Sequence, residues 1–246
     1  MRLDQAIAVR HPDISRRKAR ELIAARRVLV NERVVSIASR EVDAGDRIAV
    51  VEDAPELAII RETDDWIAVD KPAGMPTQPA RDRKQRSLEE LLRLRFREIW
   101  LVHRLDTPTS GVVLFARSAA AAATLSALFA NGEIRKTYLA ILDGELADER
   151  VVDTPVQGKN ARTTFRPLRV DGNTTLVEAV IETGRTHQIR IHAQSIGHPV
   201  AGDRRYGSGG RAARLMLHAW KLEHASFGTL EAPPPISFSF ESPTPR

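Results

Sequence analysis

The chain of 246 residues carries 37 Lys and Arg against 32 Asp and Glu, a formal net charge of +5, and no cysteine. That length can bury a substantial core, and the missing thiols exclude both disulfides and thiolate metal sites. No apolar run reaches membrane-spanning length and no basic-then-apolar leader opens the chain, so a cytoplasmic protein is expected; a pI near 9.9 favours an anionic partner.

Residues 1–52 read as a small module. Ser15 is placed to cap a helix on which Ala19, Leu22 and Ile23 form an apolar stripe, while Arg16, Arg20 and Arg27 recur at spacings of four and seven. On charge alone, a solvated helix face is the commoner meaning of such a basic stripe. Short apolar runs at 28–30 and 34–35 bracket a turn, and 45–51 reads as turn then strand. Residues 53–56, with a helix-stopping Pro55, form a linker short enough to keep the two parts close.

From Leu57 the pattern changes. Strands at 57–60 and 66–69 flank a charged hairpin turn, and the second runs into Asp70, Lys71, Pro72 and Gly74, by itself an ordinary loop. Residues 81–86 are a basic loop, suited either to phosphate contact or simply to solvent. Ser87 then caps a helix bearing Leu88, Leu91, Leu92 and Arg95. Next, His103, Arg104, Leu105 and Asp106 precede Thr109, Ser110, Gly111 and five apolar residues, which sets a lone acid at the lip of a buried central strand. Spacing alone fits a plain turn of solvated charge equally well.

Ser118 caps an Ala-rich helix with Leu125, Leu128 and Phe129 inward, ended by Asn131 and Gly132. The strand that follows sets Tyr138, Ala140 and Leu142 on one face, where a lone tyrosine is most often core. Strands at 163–165 and 175–181 are joined by a turn at 171–173. Thr186 is placed to cap a helix whose Ile189, Ala193 and Ile196 face the core, with Arg190 sharing a face with His187. His187, His192 and His198 invite a metal reading, but the i, i+5 spacing puts no two ligands on one helix face and no carboxylates cluster beside them. Strands at 214–222 and 236–240 close the chain. Many short, hairpin-connected strands with interspersed helices make the fold α+β, on a largely antiparallel mixed sheet.

The run from His103 through Asp106 to Thr109, Ser110, Gly111 and an apolar strand resembles the catalytic motif of the RluA-type RNA pseudouridine synthases. Lys136-Thr137-Tyr138-Leu139-Ala140 is similar to that family's second motif. Residues 183–192, continuing through 197–207, are similar to its longest signature, and the likeness spans about 57–240. It implies a catalytic domain over 57–246 of the pseudouridine synthase fold, an isomerase that converts specific uridines in structured RNA to pseudouridine. Ribosomal RNA is favoured, transfer RNA second, and neither cofactor nor metal is expected.

The same resemblance assigns roles. Asp106 is the essential acid, attacking the nucleoside or deprotonating its sugar, and Arg190 is its ion-pair partner. Such an acid must stay ionised in a fairly dry pocket, and a permanently charged, fork-shaped guanidinium suits that task. Tyr138 packs against the target base, with handling of the C5 proton as a second role open to it. Arg104 fills the space of the extruded uridine. His103, Lys71, Arg185 and His187 lie on the substrate side. Pro76, Thr77 and Gln78 stand where relatives commonly carry an apolar pair and His, and they receive no role.

Residues 1–52 resemble the alpha-L RNA-binding module often fused to this family, so Arg16, Arg20 and Arg27 are expected to meet RNA. Glu32 stands where that module usually has Gly after Asn31. The expected partner is thus RNA, with no membrane and no metal, for a protein working as a monomer. Two rival readings are a non-catalytic RNA-binding or ribosome-assembly factor and a metal-dependent hydrolase.

Overall fold

In the computed structural model, the residues described are 1–25, 27–31, 33–50, 57–79, 86–208, 212–235 and 238. Glu32, the linker at 53–56 and the basic loop from 81 to 85 lie outside them. Two helices organise the N-terminal part. α1 (Leu3–Arg10) buries Leu3, Ala6 and Ile7, and α2 (Arg16–Ala24) buries Ala19, Leu22 and Ile23 against them. Ser15 caps α2, its hydroxyl accepting from the Lys18 amide at 3.2 Å, which satisfies one of the orphan donors at a helix start.

Three short strands complete this part, β1 (Val28–Val30), β2 (Arg33–Val34) and β3 (Ile48–Val50), in the order β2-β1-β3. Asn31 turns the chain with φ +49°, a left-handed conformation that asparagine tolerates. Its side chain donates to Asp46 at 2.6 Å and accepts from the Arg47 amide at 3.0 Å, so one residue fixes the turn before β3. Leu29 joins Leu91 and Leu94 in a small apolar cluster, which packs this part against the rest of the chain.

The remaining strands form one large sheet. β4 (Ala58–Glu62) and β5 (Trp66–Lys71) pair as a hairpin, and α3 (Leu88–Arg95) follows behind a capping box in which Ser87 and Glu90 exchange bonds. β6 (Trp100–Leu101) is a two-residue edge, and β7 (Ser110–Ala116) is buried along its whole length, as the apolar run after Gly111 requires. α4 (Ala119–Ala130) is capped by Ser118. β8 (Arg135–Asp143) is followed by a meander of β9 (Arg150–Val152), β10 (Thr163–Asp171) and β11 (Thr174–Ile181), the last of which returns to pair with β8. α5 (Gln188–Ser195) precedes β12 (Leu217–His224) and β13 (Gly228–Glu231).

The path across this sheet is β4-β5-β7-β12-β8-β11-β10-β9. Among the described residues every pairing is antiparallel except β7 with β12, where Ser110 and Gly111 lie beside His218 and Ala219. Gly111 makes that join possible: it has φ +116°, and a Cβ there would stand 2.1 Å from the Ala219 carbonyl oxygen. Beneath it, the Ser110 hydroxyl lies 2.9 Å from Nδ1 of His218, and Nε2 of the same ring lies 3.1 Å from the Ala232 carbonyl.

Four local expectations change. β10 runs well past Phe165, because β9 covers only its first three residues; beyond them it is an edge, where Pro167 and a bulge are tolerated. α1 went unread, since its apolar residues fall in so short a span that no stripe develops. α5 is capped by His187, not Thr186. Of the strand expected at 236–240 only Phe238 is described, in a 3₁₀ turn, its ring covered by the Arg214 guanidinium.

Candidate active site

Asp106 lies in the loop between β6 and β7, and that loop is fastened on both sides of the acid. Before it, the Thr77 hydroxyl donates to the Leu105 carbonyl at 2.8 Å and accepts from the Leu105 amide at 3.1 Å. After it, the Thr107 carbonyl accepts from the Gly74 amide at 2.8 Å and from the Lys71 ammonium at 3.3 Å. The Asp106 carbonyl itself accepts from the Thr109 amide at 3.0 Å. A backbone held at each neighbouring residue aims one side chain, which is what a reacting group needs.

Lys71 therefore belongs beneath the loop and not on the substrate side. Its side chain is 0% exposed, and its ammonium also donates to the carbonyls of Pro72 and Met75 at 3.0 and 2.7 Å. Burial pushes the group down to about 8, against the opposing pull of Asp106 and Asp70. The resemblance implied a place on the substrate side; the carbonyls of Pro72, Met75 and Thr107 around the ammonium make it a staple instead.

Above Asp106 stands α5. His187, its N-cap, has φ +59°, a strained conformation for a non-glycine residue of the kind that gathers at functional sites. Its Nε2 lies 3.4 Å from Oδ2 of Asp106, and its Nδ1 lies 2.9 Å from the Tyr206 hydroxyl. Burial lowers the pKa of the ring, with Asp106 pulling the other way and Arg190 and Arg205 adding to the drop. Gln188 fixes the loop before the helix, its amide oxygen accepting from the Thr183 hydroxyl and the Arg185 amide.

Arg190 lies one turn further on and is buried. Its Nη1 lies 3.6 Å from Oδ2 of Asp106, but the fork expected there is directed elsewhere. Nε and Nη2 donate to the two oxygens of Asp203 at 2.7 and 2.8 Å, a bidentate pair. Burial pushes the Asp203 carboxyl up, yet the Arg190 bonds and the Arg205 and Tyr206 amides more than reverse it, leaving the group below its ordinary range. The Tyr206 ring lies under the guanidinium at 5.0 Å, so Asp203 and Tyr206 together lock the arginine that faces Asp106.

Tyr138 comes from the middle of β8 and lines the same cleft, which has a volume of about 350 Å³ and also takes in Arg104, Asp106, Arg185 and Ile189. Burial, with a smaller contribution from Asp106, raises the pKa of its hydroxyl above the ordinary tyrosine range. A phenol held neutral offers a ring face and a donor; it is a poor base. That argues against the proton-handling role and leaves the packing one.

The other expected residues divide. Arg104 is exposed at the rim, and Arg185 is exposed with its Nε donating to the Asn160 carbonyl at 3.1 Å. His103 is set back: its Nε2 accepts from the Leu114 amide at 2.9 Å and its ring stacks on Phe129. Burial, and then the neighbouring Lys136, push that imidazole down to about 3, so it is neutral. Arg16 and Arg20 are half-exposed on α2, and both donate through Nε to Asp4, at 2.9 and 2.8 Å; Arg27 is half-buried beyond them.

The histidines are each accounted for. His192 lies between the Thr163 hydroxyl and the Thr154 carbonyl, and His198 against the Asp143 carbonyl. Among the described residues no group of three His, Cys, Asp or Glu is arranged to hold a metal ion. Thr77, Asp203 and Tyr206 were missed as functional residues. Asp203 and Tyr206 fall inside the longest motif, so the signal was present, but their partner lies over a dozen residues away along the chain. Thr77 carried no signal beyond its place in the loop after Lys71.

Comparison with known proteins agrees with this geometry. The model of the RNA pseudouridylate synthase family matches residues 65–195, and that of the S4 domain matches residues 1–48. Ribosomal large subunit pseudouridine synthase D of Nitrosomonas europaea is 33% identical, over 91% of this chain and 76% of that protein. An RNA pseudouridine synthase of Zymomonas mobilis is 37% identical, over 70% of this chain and 90% of its own length. Among solved structures, human RNA pseudouridylate synthase domain containing 1 superposes with a TM-score of 0.63 at 28% identity, covering 74% of this chain and 84% of that one. The chain belongs to the RNA pseudouridylate synthase family and carries an N-terminal S4 domain.

Proposed function

We propose that this isomerase acts on a uridine in structured ribosomal RNA, in the cytoplasm, with Asp106 as its essential acid. The observation that carries the reading is the fastened Asp106 loop, which presents one carboxylate to a cleft between a buried arginine and a neutral tyrosine ring. The reaction breaks the bond from C1′ to N1, turns the uracil, and joins C1′ to C5. N1 gains a proton and C5 loses one to solvent, so no group acceptor or redox partner is consumed.

Asp106 attacks the nucleoside or deprotonates its sugar. Arg190, locked by Asp203, steadies the carboxylate in either role, and Tyr138 lies against the base. A stacked uridine cannot present C1′ to a carboxylate at the base of a cleft, so it leaves the helix, and Arg104 at the rim takes its place. The names of relatives such as the Nitrosomonas europaea protein favour the large ribosomal subunit as substrate. An S4 domain, as a second docking surface, suits a large folded RNA better than a small one.

The experiment is tritium release from ribosomal RNA labelled at C5 of uridine, with a chelator arm. Release that chelator leaves unchanged is expected, together with a pseudouridine at a defined ribosomal position that is missing when the gene is deleted. Release only from transfer RNA would move the substrate, and RNA binding without release would point to a non-catalytic assembly factor.

A further inference from the structure

The mechanism leaves one buried cation unused. Lys136 lies two residues before Tyr138 on β8, so strand alternation sets both on one face. Its side chain is 6% exposed, and among the described residues its ammonium makes a single hydrogen bond, to the Ile134 carbonyl at 3.1 Å. No carboxylate among the described residues comes within ion-pair distance of it, and burial lowers its pKa with no acid acting in opposition. A buried ammonium with two protons uncommitted is costly unless something else supplies the acceptor.

Lys136 lines a second cleft of about 500 Å³, which shares Arg104, Tyr138 and Arg185 with the lining of the first. The His103 ring also lines it. Because Nε2 of that neutral ring accepts from the Leu114 amide, Nδ1 carries the proton, and it makes no hydrogen bond among the described residues. The acid at the margin, Glu182, is exposed and lies 3.0 Å from Arg162. Donors thus converge from the base and the rim, while the one nearby carboxylate is engaged elsewhere.

We propose that this second cleft is a phosphate subsite, in which Lys136 and His103 bind a non-bridging oxygen of an RNA phosphodiester neighbouring the uridine held over Tyr138. Arg104 and Arg185 close it from above. The subsite rests on the reading of Tyr138 as the surface under the target base; it would set how the strand runs through the site, and hence which neighbouring nucleotide is held.

The test pairs Lys136→Met, close in shape and uncharged, with a uridine-bearing RNA stem-loop in which loop phosphates are replaced one at a time by neutral methylphosphonates. Binding is measured by titration at several salt concentrations. At one position the wild type should lose about tenfold in affinity, as for a bond to a charged group, and the variant should lose nothing further. The variant's slope of log K against log salt should be shallower by about 0.7 to 0.9, one phosphate contact. Its thermal midpoint should hold or rise, since an uncompensated charge has been removed from the interior. Lys136→Gln repeats the cycle with a polar neutral side chain. Additive losses at every position would overturn the proposal, as would a lowered midpoint with an unchanged salt slope, the mark of a merely structural lysine. Because the readout is binding, a protein that releases no tritium yet shows the coupled position counts against the catalytic reading alone.

Discussion

Asp4 and Asp106 both stand beside arginine, and they are built for opposite ends. The Asp4 side chain is 0% exposed and accepts from Arg2, Arg16 and Arg20 at 3.2, 2.9 and 2.8 Å. Burial pushes its carboxyl up, but the three bonds hold it far below the usual range. Asp106 is 20% exposed, and its two neighbours, the His187 ring and the Arg190 guanidinium, stay at 3.4 and 3.6 Å, both on one oxygen. The nearest arginine gives its two best-placed donors to Asp203 instead. An acid with both oxygens engaged by guanidinium donors is an anchor, whereas an acid kept beside a cation whose fork is committed elsewhere retains lone pairs for a substrate.

The contrast breaks first at Asp106. Asp106→Asn keeps the shape and should bring tritium release below detection while RNA affinity persists, because phosphate contacts dominate affinity. Measurable turnover by the pure variant would remove Asp106 from its role. Arg190→Lys comes next: a point charge cannot hold Asp203 with two bonds and still face Asp106. Single-turnover rate should drop about a hundredfold, the scale for losing one preorganised donor. Asp203→Asn should do part of the same damage, about tenfold, although Asp203 points away from the cleft. A wild-type rate in Asp203→Asn would show that the lock on Arg190 is irrelevant to chemistry.

Thr77→Val tests the fastening of the loop. It removes a hydroxyl that bonds both backbone groups of Leu105, and should cost about 2 kcal/mol of stability with about a fivefold loss in rate. Denaturant melts and single-turnover assays on the same preparation separate the two. The smallest effect on rate belongs to Asp4→Asn, which should leave saturating turnover near wild type and cost about 2 kcal/mol of stability at neutral pH. Asp4 binds its proton more weakly folded than unfolded, so its contribution is complete above about pH 4 and is lost as the solution is acidified below that. The variant should therefore lose the wild type's steep fall in thermal midpoint between about pH 4 and 2, and an unchanged acid limb would refute the anchor.

Legibility in the sequence followed how local each cause is. Turn residues running into an apolar stretch marked both β7 and the acid before it, and Ser15, Ser87 and Ser118 marked three helix starts, because those signals sit within a few residues. Arg190 was legible as a partner for Asp106, but its commitment to Asp203 was not, since the loop that carries Asp203 back to α5 has no periodicity. The place given to Lys71 on the substrate side did not survive, because a lysine beside the Asp106 loop looks like a substrate contact until three carbonyls are seen to consume its ammonium. Of the basic stripe expected with α2, Arg16 and Arg20 lie on the helix and prove tied to Asp4, an acid in a helix that the sequence did not announce, while Arg27 lies past the helix end at Ala24.

The strand order also bears on timing. β12 begins at Leu217 and sits between β7, which follows the Asp106 loop, and β8, which carries Tyr138. During synthesis those two strands emerge long before the one that joins them, and Gly111 lies in a gap that only Ala219 fills. The cleft thus closes only when the central strand, made well after the two it joins, takes its place between them. A nascent chain stopped short of residue 217 has Asp106, Tyr138 and Arg190 but not the strand that joins β7 to β8, so the cleft assembles only after β12 has been made.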